Sequence, residues 1–189
     1  MGLFDAFRKD EVVGAKVLVC ALDAKHEDLR ERDERIYRRF YAATTSVVPS
    51  TVAELKQSLS QAYDIVHLLC DVNPEGALVD SSRAKLSGDD LLKTCVDAGV
   101  KLLWLGSDNF AEQYNAGFHP KGMKLNVILT ERRLGPNFSL FLDGLLSKLS
   151  AGESVSKAWN VASKPEGKSV QPDVPHTITS LGRGSVILR

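Results

Sequence analysis

The chain has no surplus of charge of either sign: 24 Lys and Arg residues stand against 24 Asp and Glu residues. That balance leaves no net field to draw in nucleic acid or an anionic membrane, so neither is expected as a partner. Long apolar runs are missing as well. No stretch approaches the roughly 18 apolar residues of a membrane span, and no secretory pattern is visible, so a cytoplasmic domain is expected. Cysteine is sparse: Cys20, Cys70 and Cys95 lie in or beside apolar segments without C-x-x-C spacing, as small hydrophobes of a reducing compartment do. The histidines, His26, His67, His119 and His176, are scattered and offer zinc no clustered ligands. No G-x-G-x-x-G or phosphate loop follows any strand candidate, so no cofactor is expected.

What the chain does hold is alternation of apolar strands with amphipathic helices. At 189 residues, 43% apolar and 25% charged, it has the size and composition of one globular domain. That domain is placed at 12–189, behind an N-terminal segment, 1–11, in which Leu3 and Phe7 share a helical face. Two short apolar runs organise the rest: Tyr63 to Asp71 and Val100 to Asp108. Each reads as a strand buried on both faces of a parallel sheet, and each stops at an aspartate. Ligands of open α/β sheets gather outside the carboxyl ends of such strands, which singles out Asp71 and Asp108.

Around them the pattern predicts a first core strand over Val12 to Leu22 and a charged surface helix over Lys25 to Ala43. That helix carries Asp28/Arg32, Glu31/Arg35 and Glu34/Arg38 at i,i+4. A short strand at Ser46 to Val48 and a helix capped by Thr51 follow. Next come a hairpin turning at Ser81-Ser82-Arg83, a helix capped by Ser87, and a short helix over Phe110 to Ala116. A strand at Lys124 to Thr130, a buried helix over Phe138 to Leu149 and a helix over Glu153 to Ser163 come later. The chain then runs through a proline-rich loop (Lys164 to His176) to a closing strand at Ser185 to Leu188. The class is α/β, with a mainly parallel central sheet and helices on both faces.

From about Val52 to Leu188 the order of these features resembles a CHAT domain, the bacterial branch of the caspase-like peptidases. Tyr63-Asp64-Ile65-Val66-His67 is similar to the family's first signature strand, Y-D-hydrophobic-hydrophobic-H-x-x-G-H-G. Leu149-Ser150-Ala151-Gly152-Glu153-Ser154-Val155-Ser156-Lys157-Ala158 is similar to its helix-pair phrase, L-x-x-G-x-S-hydrophobic-x-x-A. The resemblance implies a caspase-like three-layer sandwich and a protein or peptide partner, an active caspase-like relative among the candidates. A bacterial defence or signalling system is the implied setting.

The departure falls on the chemistry. Asp71 stands where the family carries its base histidine, and Asp108 where it carries its cysteine nucleophile; carboxylates supply neither near-neutral basicity nor thiolate reactivity. No catalytic residue is therefore assigned, and Asp71, Ser107, Asp108 and Asn109 are the candidate binding residues. Strand alternation puts His67 and Asp71 on one face and Cys70 on the other, with His67 as a core histidine. Two alternatives stay open: a hydrolase of another class using Asp71 and Asp108 as paired carboxylates or metal ligands, and a flavodoxin-like sheet without caspase kinship. If the two aspartates adjoin, burial and repulsion raise one carboxyl pKa. As a recognition pocket, the pair favours Arg or Lys.

Overall fold

A computed structural model of the chain describes residues 11–106, 109–130, 136–162, 177–181 and 185–189, with the backbone alone at 136, 137 and 177–181. The described residues begin with β1 (Glu11–Val12), turn at Gly14 in the left-handed region (φ 68°), and enter β2 (Val17–Ala21), buried throughout. The single strand expected over Val12 to Leu22 is thus two. β1 leaves the central sheet and pairs in parallel with the closing strand.

A 3-10 turn over Ala24–His26 leads into α1 (Glu27–Arg38), then β3 (Thr44–Val47). The helix α2 (Val52–Leu59) starts where Thr51 Oγ1 accepts from the Glu54 amide at 3.2 Å. The Glu54 carboxylate caps one residue further out, on the Ser50 amide, at 2.8 Å. β4 (Ile65–Leu69) is followed by the hairpin β5 (Ala77–Val79) and β6 (Lys85–Ser87). Asp80 shapes the hairpin turn: one oxygen accepts from Ser82 and Ala84, the other from the Val52 amide at the start of α2.

Ser87 caps α3 (Gly88–Asp97), which Gly99 ends at φ 81°, before β7 (Leu102–Gly106). Then come α4 (Ala111–Gly117), β8 (Asn126–Thr130), α5 (Pro136–Ser150), α6 (Val155–Ala162), β9 (Thr177–Leu181) and β10 (Ile187–Leu188). β9 has no counterpart in the sequence expectations. Two expected elements, the segment up to Asp10 and the loop at 163–176, lie outside the described residues.

Among the described residues, six strands form the central sheet in the order β3-β2-β4-β7-β8-β9. The first five are parallel and β9 runs antiparallel on the edge. One face is covered by α2, α3 and α4 through Leu55, Leu59, Leu91, Leu92, Tyr114 and Phe118. The other is covered by α1, α5 and α6 through Ile36, Tyr37, Phe141, Leu145, Val155 and Ala158. This is a three-layer α/β sandwich. The β2-α1-β3 crossover therefore lies on one face and β3-α2-β4 on the other. The winding of the crossovers reverses between β2 and β4, which makes the crevice at their carboxyl ends a topological switch point.

One close approach sets the hairpin against the helices: a Cβ on Gly117 would lie 2.0 Å from the carbonyl oxygen of Gly76. No side chain fits there.

Candidate functional site

β2, β4 and β7 end level, with Ala21 opposite Leu69 and Leu69 opposite Gly106. Asp71 leaves this edge two residues past the end of β4. Ser107 and Asp108, the corresponding positions past β7, lie outside the described residues.

What meets Asp71 comes from the switch point. Asp23 takes a positive φ of 96° and its carboxylate accepts from the Lys25 amide, which folds Ala24–His26 into a tight turn above the β4 end. His26 Nε2 then lies 3.0 Å from Asp71 Oδ1, and the Lys25 ammonium bonds Asp71 Oδ2. The two halves of this grip differ. The His26 side chain is 9% exposed, whereas Lys25 and Asp71 are 52% and 51% exposed.

The hydrogen bond from His26 leads in holding the Asp71 carboxyl well below the usual carboxylate range; partial burial opposes it, and the hydrogen bond and charge of Lys25 add to it. Asp71 is thus not a carboxyl raised by a like-charged neighbour. Its two hydrogen-bond partners, His26 and Lys25, push it the other way.

Asn109 grips the backbone on both sides of Asp71. Its Oδ1 accepts from the Val72 amide at 2.7 Å, and its Nδ2 donates to the Cys70 carbonyl at 3.0 Å and to the Tyr114 hydroxyl at 3.1 Å. Gln113 adds a bond from its Nε2 to the Val72 carbonyl, while its Oε1 accepts from Phe110 N. An amide side chain has two donors and two lone pairs. Asn109 has committed both donors and one lone pair, so it acts as a clamp on the β4 end. Together Lys25, His26, Leu29, Asp71, Val72, Asn109 and Gln113 line an open cleft of about 420 Å³.

Deeper along β4 lies a second His–Asp pair. His67 is fully buried, as expected, yet its Nε2 stands 3.1 Å from Oδ2 of a fully buried Asp33 on α1. On the other side of the ring, His67 Nδ1 lies 3.1 Å from the Tyr37 hydroxyl. Arg32 approaches the other Asp33 oxygen at 3.3 Å, and the His67 ring packs on Trp104. Arg30, also buried, bonds Glu34 and Ser46. The solvated helix expected over Lys25 to Ala43 therefore carries two buried charges. Its i,i+4 pairs are only partly realised: Glu34–Arg38 forms at 2.7 Å, while Arg32 turns to Asp33.

The cysteines are all fully buried. Desolvation pushes the Cys20 and Cys95 thiols up to about 12 and Cys70 well above its ordinary value. Cys70 faces the α2-α3-α4 layer, opposite to His67, as strand alternation requires. His119 pairs with Asp89 at 2.8 Å beside a separate cleft that also includes Lys93 and Met123. His176 lies outside the described residues. Among the described residues no group of three or more His, Cys, Asp or Glu is placed to hold a metal ion. Nor is any helix among them long and apolar enough to cross a membrane.

A comparison with known protein families finds no match, and neither does one with curated proteins. Among solved structures, one described as the pyruvate reductase of Chlamydomonas reinhardtii is similar over 83% of this chain and 41% of that one, at 17% identity and a TM-score of 0.37. The chain thus spans less than half the length of that protein. So distant a likeness carries no argument about activity.

Sequence reasoning reached Asp71 and Asn109 but missed Lys25 and His26. The signal was there: a polar Asp23-x-Lys25-His26 turn directly after the first central strand, at the place where the winding direction reverses.

Proposed function

We propose that this chain is a caspase-like domain of the CHAT type without peptidase activity, acting as a protein-interaction or regulatory module in a bacterial cytoplasm. One observation carries the reading. The residue standing where the family has its base is a carboxylate, held ionised by His26 and Lys25. The buried cysteines agree, because a thiol held protonated and out of reach is no nucleophile.

The resemblance itself draws support from two features. A hairpin with a polar tip directly follows β4, and the phrase from Leu149 to Ala158 forms the junction of α5 and α6 around Gly152 at φ 87°. The rival hydrolase reading needs a carboxyl that keeps its proton near neutrality to serve as an acid. Asp71 is displaced in the opposite direction.

The test is a diverse peptide library incubated with the purified full chain, with mass spectrometry of both the retained and the free peptides. The reading predicts that peptides are retained uncut. Cleavage that disappears in Cys70→Ser would refute it.

A further inference from the structure

The two oxygens of Asp71 are held in different ways. Oδ1 faces His26, a nine-tenths buried ring fixed in the turn after β2. Oδ2 holds the ammonium of Lys25, and both members of that ion pair are half-exposed at the mouth of the cleft. A solvent-exposed pair on a long flexible stem is the exchangeable kind, with little net stability to lose. Beside it the cleft presents Leu29, apolar surface of the sort along which the methylene stem of a long basic side chain lies.

Glu27 and Asp28, exposed in the first turn of α1, follow Lys25 and His26 directly in the chain and add negative charge to this turn. Asp71 remains a carboxylate throughout the neutral range.

We infer that Lys25 is an internal stand-in cation in the Asp71 cleft, and that an arginine side chain of a partner protein enters by displacing it. This rests on reading the carboxyl edge as a protein-binding surface, and it adds what that surface recognises and what competes for it. Arginine fits better than lysine, because a planar fork can bond Oδ2 and still reach neighbouring acceptors, whereas a lysine would only repeat the contact already made. An acidic side chain would meet the like charge of Asp71.

The experiment uses the full chain and N-acetyl-arginine methylamide as probe, with the norleucine and glutamate analogues alongside. The imidazole resonances of His26 report on the cleft. Those of His119, which pairs with Asp89 elsewhere, serve as the internal control. The arginine probe should shift His26 saturably and leave His119 in place.

Lys25→Met should tighten probe binding by roughly threefold to fivefold, the range over which an exposed ion pair competes. Lys25→Arg, which keeps the charge and plugs the site better, should weaken it. Asp71→Asn should abolish it. A Lys25→Met variant that binds the probe no better than wild type, or a glutamate probe that outcompetes arginine, overturns the inference. If the probe never moves His26 while library peptides are still retained uncut, this inference falls and the interaction reading stands. Cleavage of library peptides would defeat that reading without bearing on the Lys25 exchange.

Discussion

Two His–Asp pairs meet β4, at nearly the same separation and with opposite surroundings. His67 and Asp33 lie 3.1 Å apart with no exposed surface on either side chain. His26 and Asp71 lie 3.0 Å apart at the strand tip, with half of Asp71 in solvent. In the first pair every neighbour is protein: Tyr37, Arg32, Trp104 and Phe138 close around it. Such a pair ties α1 to the sheet and offers nothing to a ligand. In the second, the same chemistry opens on a cleft, with an exchangeable lysine beside it. Residue type alone does not separate a structural from a binding carboxylate. Depth along the strand does.

The largest effect that would break this comparison is in stability. Asp33→Ala leaves His67 and Arg32 facing a buried void, and removal of one partner from a buried pair costs about 3–5 kcal/mol. Asp71→Ala removes a half-exposed carboxylate and should cost under about 1 kcal/mol. Urea unfolding of the two variants gives both numbers. Equal losses would show that the edge pair is as structural as the buried one.

Asn109→Ala should fall between them, at about 1–3 kcal/mol, because it leaves the buried Val72 amide without its acceptor. Hydrogen exchange at that amide should accelerate, while amides in the middle of β4 keep their protection. Uniform acceleration along β4 would mean that Asn109 supports the whole sheet rather than the tip.

Much of the fold was legible because local chemistry and burial agreed. The strand around His67, the hairpin, the caps at Thr51 and Ser87 and the glycine stop at Gly99 all came from short-range signals that tertiary packing left intact. Where packing overrode the local pattern, the reading failed. On α1, Leu29, Ile36 and Tyr37 share a face that by i,i+4 spacing also carries Asp33, yet a charged residue on a charged helix reads as solvated, and nothing local marks Arg30 as buried.

The run from Val12 to Leu22 read as one strand, because its split at Gly14 depends on a partner, β10, at the far end of the chain. β9 holds two threonines and a serine in five residues and becomes a strand only by pairing with β8. At the candidate site, the β4 end was legible from where an apolar run stops. The grip on Asp71 was not, since it depends on a crossover and on a positive φ at Asp23.

The smallest predicted effect is in pH dependence. A carboxyl whose folded pKa is depressed contributes stability that is present above its unfolded value, about 3.9, and is lost as pH falls through the folded value. Wild type should therefore exceed Asp71→Asn by a small margin, under about 1 kcal/mol, above roughly pH 5. That margin should shrink on acidification below about pH 4. A margin that grows on acidification would reverse the assigned direction.

The central claim is that Asp71 is a carboxylate held ionised by His26 and Lys25, fitted for binding and not for proton transfer. The most direct test is a titration of the Asp71 side-chain carboxyl by carbon-13 NMR in wild type and in Lys25→Met. The account predicts that Asp71 titrates well below the ordinary value of about 3.9, and that it moves upward when Lys25 is removed. An Asp71 that titrates above that value in wild type, toward neutrality, would contradict the account and restore the carboxyl edge as a candidate acid–base site.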